Sequence, residues 1–271
     1  MKMKELIQRA REIIKKQGCK PLFVKGIKFF VKEIEFMLGI IFDSPPLAHL
    51  RVLCATKILK KSITTLDDNV DNWINYTYGF RVAGISIRPS QVPYEISRLL
   101  EIVKELKPKT LLEIGTARGG TLFLFCITAD PEATIISIDL PRGPFGGGYP
   151  SWKTPLYKAF ASSKKDIYLM RTNSHDLGTL QEVKKVLNGR ELDFLFIDGD
   201  HRYEGVKRDF EMYLPLVRKG GIIALHDIVE HRPERGCEVS RFWNEIKHSY
   251  KHLEIVRDRN QKWAGIGVLY V

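Results

Sequence analysis

The chain has 271 residues, 44% of them apolar and 28% charged. That composition fits one or two globular domains and excludes a disordered, collagen-like or coiled-coil chain. The net charge of +11 is unevenly spread: residues 1–65 hold 14 Lys and Arg against 5 Asp and Glu, and the remainder holds 29 against 27.

The N-terminal residues alternate charge with apolar side chains and lack the continuous apolar core of a signal peptide. No apolar run reaches the roughly 18 residues of a membrane span. Cys19, Cys54, Cys126 and Cys237 form no CxxC pair, so neither a disulfide framework nor a zinc knuckle is expected, and a reducing, cytoplasmic setting is. Leu6, Ile7, Ala10, Ile13 and Ile14 make an apolar helical stripe over residues 5–17. A second helix is predicted over about 22–41 and ends before Pro45-Pro46, a third covers 47–61, and a fourth starts near Thr65 and stops at Gly79. Residues 1–85 therefore read as a basic helical extension. Such a face attracts polyanions, among them anionic lipid at a membrane surface, phosphate-bearing substrates and nucleic acid; it equally suits a solvated helix surface. No RNA-binding aromatic signature accompanies it, so nucleic acid is not the expected partner. Helices with apolar stripes also suit a homo-oligomer contact.

From residue 86 to the C-terminus the pattern alternates. A helix is predicted over Ser90–Leu106. Strands follow at Thr110–Ile114, Thr134–Ile138, Ile167–Arg171, Leu192–Ile197 and Gly221–Leu225. Helices fall at Gly119–Ala129, Leu177–Leu187, Tyr203–Val217 and Val239–Ser249. Leu253–Arg257 and Ile266–Val271 read as two strands with no helix between them, hence an antiparallel hairpin. The fold class is α/β: a doubly wound, mostly parallel seven-stranded sheet, whose ligands bind beyond the carboxyl ends of the strands.

Two segments carry chemistry. In the first, strand Thr110–Ile114 runs into Gly115-Thr116-Ala117-Arg118-Gly119-Gly120 and then a helix. Glycines permit a sharp turn and close backbone approach, and the helix start offers free N–H groups. The dinucleotide fingerprint G-x-G-x-x-G fails, because Ala117 stands where its second glycine belongs. Asp139 ends the next strand, where a carboxylate can accept hydrogen bonds from a ribose diol. After the third strand come Thr172-Asn173-Ser174-His175-Asp176, in which Ser174 and Asp176 equally suit helix caps. In the second segment, strand Leu192–Ile197 ends in Asp198-Gly199-Asp200-His201, and strand Gly221–Leu225 ends in His226-Asp227. Adjacent parallel strands would set Asp198, His226 and Asp227 on one rim as ligands for a divalent cation, with His201 beside them as a proton acceptor. His226 can equally be a strand-end histidine hydrogen-bonded to Asp198. Residues 141–155, a Gly/Pro-rich loop with Phe145, Tyr149 and Trp152, are expected to close over the ligand or to lie open on the surface.

These motifs carry a resemblance. Glu113-x-Gly115-x-x-x-Gly119 resembles motif I of class I S-adenosylmethionine-dependent methyltransferases. Asp198-Gly199-Asp200-His201-x-Tyr203-x-x-Val206-x-x-Asp209, then Gly220-Gly221-x-Ile223-x-x-His226-Asp227, resembles the family that includes macrocin O-methyltransferase-like and cephalosporin hydroxylase-like proteins. The likeness covers roughly Pro89 to the C-terminus. It implies S-adenosylmethionine held by Glu113, Gly115, Thr116, Gly119, Gly120, Asp139, Asn173, Ser174 and Asp198. It further implies a hydroxylated small-molecule acceptor, a sugar or glycosylated compound, with His201 as base and Asp198 beside it. A magnesium (Mg2+) or manganese (Mn2+) ion would be held by Asp198, His226 and Asp227. The chain departs from that family at His226, where a carboxylate is usual, and imidazole favours transition metals over magnesium. Other readings are a non-catalytic nucleoside-binding module, a dehydrogenase, which the glycine spacing disfavours, and a nucleic-acid methyltransferase working through the basic helices.

Overall fold

The computed structural model describes residues 45–145, 147–161 and 164–271. The expected helices at 5–17 and 22–41 lie outside them. By compactness the chain divides into residues 1–50 and 51–271. Of the first unit only the stretch from Pro45 is described, and it opens helix α1 (Pro45–Ile63).

The second unit is built on a seven-stranded sheet. In chain order its strands are β3 (Thr110–Ile114), β4 (Thr134–Ile138), β5 (Asp166–Met170), β6 (Leu192–Ile197), β7 (Val217–His226), β8 (Lys251–Ile255) and β9 (Ile266–Tyr270). In space they run β5-β4-β3-β6-β7-β9-β8. The pairs from β5 to β7 are parallel, and β9 lies antiparallel to both β7 and β8. Every residue of β3 and β4 is buried. Unbroken apolar strands are what a parallel sheet covered on both faces requires.

One covering layer holds α2 (Val70–Gly79), α3 (Pro93–Leu106) and α4 (Gly120–Thr128), with Leu99, Phe123 and Phe125 in its core. The opposite layer holds α6 (Leu177–Leu187), α7 (Tyr203–Tyr213) and α8 (Val239–Ile246), packed through Val183, Phe210 and Trp243. A two-stranded ribbon, β1 (Arg81–Val82) with β2 (Ile85–Ser86), links α2 to α3.

The structure moves the expected division after residue 85. Val52, Ala55 and Leu59 repeat at helical spacing along α1 and are buried in the same core as Leu99 and Phe123. Trp73, Phe80 and Ile85 join them. Residues 51–85 thus belong to the compact unit of the sheet, because their apolar faces are buried in its first layer.

Smaller differences have local causes. Helix α3 starts at Pro93, since a residue before proline avoids helical backbone. Helix α7 ends at Tyr213, because Pro215 cannot continue it, and β7 begins at Val217, four residues before Gly221. A short helix, α5 (Thr154–Lys158), overlaps the end of the expected loop.

Chain order reverses between β3 and β6. The connections from β3 lead towards β5, and those from β6 lead towards β7. Their carboxyl ends therefore open a crevice at the switch point, and the glycine turn after β3 and Asp198 after β6 meet there.

Candidate active site

A cavity of about 670 Å³ opens at this crevice. Its walls divide into two halves, one on the β3–β4–β5 side and one on the β6–β7–β9 side.

The first half is made mainly of backbone. Gly115, at φ +97°, follows β3, and a Cβ there would lie 2.0 Å from the Asp198 carbonyl oxygen. The two strand ends can meet this closely only because residue 115 is glycine. Asp139 is buried on the cavity wall, and its carboxylate accepts N–H bonds from Ala117 (3.0 Å), Gly148 (3.0 Å) and Tyr149 (3.3 Å). Burial pushes its pKa up, partly offset by those donors. The loop after β4 is thereby folded onto Asp139. Of its aromatics, Tyr149 and Trp152 pack into the first layer, whereas Phe145 faces the cavity and stacks on His201 at 4.8 Å between ring centroids.

Asn173 and Ser174 line the same half. Their turn is pinned from α7: Tyr213 donates to the Ser174 carbonyl (2.8 Å) and Arg208 to that of His175 (2.9 Å). His175 Nε2 lies 3.3 Å from Oδ1 of Asp209, the last residue of the second motif, and this buried carboxylate raises the pKa of His175.

Four of the residues expected at the cofactor do not line the cavity. Glu113 is fully buried beneath the turn, where Thr121 and Ser137 (3.3 Å) donate to it. Burial pushes its carboxyl up to about 8. Thr116 pairs with Ser137. A Cβ on Gly119 would lie 2.8 Å from the Tyr157 ring, and one on Gly120 would lie 2.3 Å from the Ile87 carbonyl oxygen. In this structure the motif's acid and last two glycines serve packing at the start of α4.

The second half is made of ionisable side chains. Asp198 Oδ1 lies 3.1 Å from His226 Nδ1 and 3.7 Å from His201 Nε2. Asp227 Oδ2 lies 2.7 Å from His201 Nδ1 and 3.3 Å from His226 Nδ1. Burial opposes a charged imidazole at each histidine, but the facing carboxylates outweigh it. The pKa of His201 rises to about 10 and that of His226 rises too, while Asp227 is held below the usual carboxylate range. The two carboxylates thus favour the charged form of His201 in the unliganded site.

Sequence reasoning missed four members of this half. Gln91, just before α3, donates to Asp198 Oδ2 at 2.6 Å. His231 Nε2 lies 3.0 Å from Asp227 Oδ1. Cys237 and Trp263 complete the wall. Only His231 and Cys237 carried a signal, as metal-ligating residue types shortly after His226-Asp227. Gln91 and Trp263 arrive from remote segments. Glu95 of α3 gathers the β8–β9 connection by accepting N–H bonds from Arg257 (3.1 Å), Gln261 (2.7 Å) and Gly265 (2.9 Å), which sets Ala264 N–H against Asp227 Oδ1 at 3.2 Å.

Asp198, His226 and Asp227 offer one donor atom each, all within 4.8 Å of one another. Two carboxylate oxygens and one imidazole nitrogen fit a divalent ion, manganese better than magnesium.

Comparison with known proteins agrees with this architecture. Residues 112–228 match a family model described as a methyltransferase domain. The chain is 29% identical over 130 residues to probable caffeoyl-CoA O-methyltransferase 3 of Dictyostelium discoideum, covering 47% of each protein. It is 29% identical over 140 residues to a caffeoyl-CoA O-methyltransferase of Populus kitakamiensis, covering 51% of this chain and 55% of that protein. The chain thus spans about half the length of these curated relatives. A solved structure of a putative caffeoyl-CoA O-methyltransferase from Staphylococcus aureus shares the fold at 16% identity and a TM-score of 0.50, covering 80% of this chain and 99% of that one. No helix among the described residues is long and apolar enough to cross a membrane. Residues 112–228 are thus similar in sequence to a methyltransferase domain, and they hold the glycine turn and strands β4 to β7 of the sheet.

Proposed function

We propose that the protein is an S-adenosylmethionine-dependent O-methyltransferase acting on a hydroxyl of a small molecule, with a sugar or glycosylated compound as the acceptor class. The observation that carries this reading is the meeting of two unlike half-sites in one cavity. The backbone-built half, with Gly115, Asp139 and Asn173, suits a nucleoside. The half with Asp198, His201 and Asp227 suits a hydroxyl that must lose a proton.

In this reading Asp139 and the Asn173–Ser174 turn hold the nucleoside, and the methyl group points towards Asp198. His201 takes the acceptor's proton as the oxygen attacks the methyl carbon. Asp227 holds Nδ1 of His201, which leaves Nε2 turned towards Asp198 and the reacting centre. Asp198 is itself fixed by Gln91. The sulfonium's positive charge, brought beside His201, favours the neutral imidazole the reaction needs. Alignment of oxygen, carbon and sulfur is the protein's main contribution. A divalent ion held by Asp198, His226 and Asp227 would supply Lewis acidity that lowers the pKa of the acceptor hydroxyl. A reducing, cytoplasmic setting accords with three unbridged cysteines among the described residues, and a homo-oligomer with the apolar stripe of the N-terminal sequence.

The test is isothermal titration of S-adenosylhomocysteine into the protein, with and without magnesium or manganese. Saturable binding is expected. A folded sample that binds nothing under either condition overturns the reading.

A further inference from the structure

His201, Asp227 and Cys237 each present one donor atom to a common point, and the three atoms lie within 4.8 Å of one another. This group shares Asp227 with the oxygen-rich set at Asp198 and His226 but has a different character. It combines a thiol, an imidazole and a carboxylate, the donor set of a thiophilic ion such as zinc.

The group is held together by the fold. Glu238 N–H donates to the His201 carbonyl at 2.7 Å, so the loop carrying Cys237 is tied by its backbone to His201 itself. The Glu238 carboxylate reaches back to the Tyr203 N–H at 3.1 Å and closes the tie from the other side. Phe145 stacks on the His201 ring and restricts its rotation. The second oxygen of Asp227 faces His231 at 3.0 Å and Ala264 N–H at 3.2 Å, which orients the carboxylate as outer partners orient the ligands of metal sites. Asp227 itself has φ +63°, a backbone conformation uncommon outside glycine, and this turns its side chain towards His201. All three donors line the cavity, which leaves a fourth direction open to water or ligand. Three protein ligands and one open position is the arrangement of reactive rather than purely structural zinc sites.

We propose that His201, Asp227 and Cys237 form a binding site for a thiophilic divalent ion, zinc being the type case, distinct in its thiolate ligand from the Asp198–His226–Asp227 set. Binding releases the thiol proton to solvent and occupies the His201 nitrogen that faces Asp227, displacing its proton to solvent as well. Occupancy withdraws His201 from proton transfer, and the site therefore restrains methyl transfer wherever such an ion is available. The ion-binding claim stands independently of the methyltransferase reading; the restraint rests on it.

Cobalt(II) is the probe, because a cobalt–thiolate bond absorbs in the near ultraviolet where oxygen and nitrogen ligands alone do not. The full chain is titrated with cobalt(II), and S-adenosylhomocysteine binding is measured on the same samples. The expected result is a thiolate charge-transfer band that saturates at one ion per chain and is displaced by zinc. Cys237→Ser should lose the band and still bind S-adenosylhomocysteine; His201→Ala should weaken cobalt binding at least tenfold. A folded wild-type protein that binds cobalt without a thiolate band, or a band that survives Cys237→Ser, overturns the proposal. The wild-type spectrum decides the matter even if the variants fail to fold. Failure of S-adenosylhomocysteine binding alone would count against the methyltransferase reading and leave the ion site standing.

Discussion

The two halves of the cavity solve their tasks with different materials. The half on the β3–β4–β5 side uses turns: one buried carboxylate, Asp139, accepts three backbone N–H groups, and the closeness of Gly115 to Asp198 depends on a missing side chain. The half on the β6–β7–β9 side concentrates His201, His226, His231, Asp198 and Asp227 at two adjacent strand ends. Backbone donors do not titrate, whereas the second half is built almost wholly of titratable side chains. On the proposed function, this division predicts that ligand binding and proton transfer can be perturbed separately, except where the halves touch.

They touch at Gly115, so the largest effect is expected there. Gly115→Ala places a Cβ against the Asp198 carbonyl at a positive φ, which should destabilise the domain by about 3 kcal/mol or more and remove S-adenosylhomocysteine binding. Thermal unfolding and titration check both effects. A variant that keeps its stability and binding would show that the halves are less tightly joined than the close approach implies.

His201→Ala should separate the halves cleanly. Turnover should fall by about 100- to 10,000-fold, while the dissociation constant for S-adenosylhomocysteine changes by less than about threefold. Activity retained within about tenfold would remove His201 from the role of base.

The same residue predicts the pH profile. A base acts in its deprotonated form, and Asp227 and Asp198 raise the pKa of His201 to about 10 in the unliganded protein. The value of kcat/KM for S-adenosylmethionine should therefore increase through the alkaline range and flatten only near pH 10, because that parameter reports the unliganded enzyme. A profile already flat at pH 7 would show that the acceptor's proton goes elsewhere.

Asp139→Asn tests the β3–β4–β5 half alone. An amide oxygen cannot hold all three backbone donors as a carboxylate does, so S-adenosylhomocysteine should bind about tenfold more weakly, a change of about 1.4 kcal/mol. Faster limited proteolysis within residues 140–149 should accompany it.

The smallest effect is expected beneath the glycine turn. Burial pushes the Glu113 carboxyl up to about 8 from an ordinary 4.5. A carboxyl whose folded pKa is raised favours the fold fully below the unfolded value and loses that contribution as pH rises through about 8. Glu113→Gln keeps the shape without the charge, so its melting temperature should fall less between about pH 5 and pH 9 than that of the wild type, by several degrees.

Much of the sheet was legible because period and punctuation were strong. Thr110–Ile114, Thr134–Ile138 and Leu192–Ile197 appear at the expected bounds, since buried parallel strands are unbroken apolar runs closed by Gly or Asp. The C-terminal hairpin was legible from two strands with no helix between them. The α7–β7 boundary was not, because the glycines at 220 and 221 look like a strand start while pairing begins at Val217. The role of residues 51–85 was misread because basic residues on α1 hide the stripe of Val52, Ala55 and Leu59 that joins the sheet's own core.

At the site, sequence alone determined the residues that follow β3, β4, β6 and β7, because a doubly wound sheet delivers strand ends to one rim. It could not determine which of them face the cavity. Glu113, Thr116, Gly119 and Gly120 share a motif with Gly115, yet alternation along the strand and the turn into α4 direct them into packing. Only the tertiary structure brought Gln91 to Asp198 across 107 residues, and His231, Cys237 and Ala264 to the rim around Asp227. These contacts come from segments whose meeting depends on how the layers close over the sheet, and no local pattern encodes a distance between chain segments that touch only after folding.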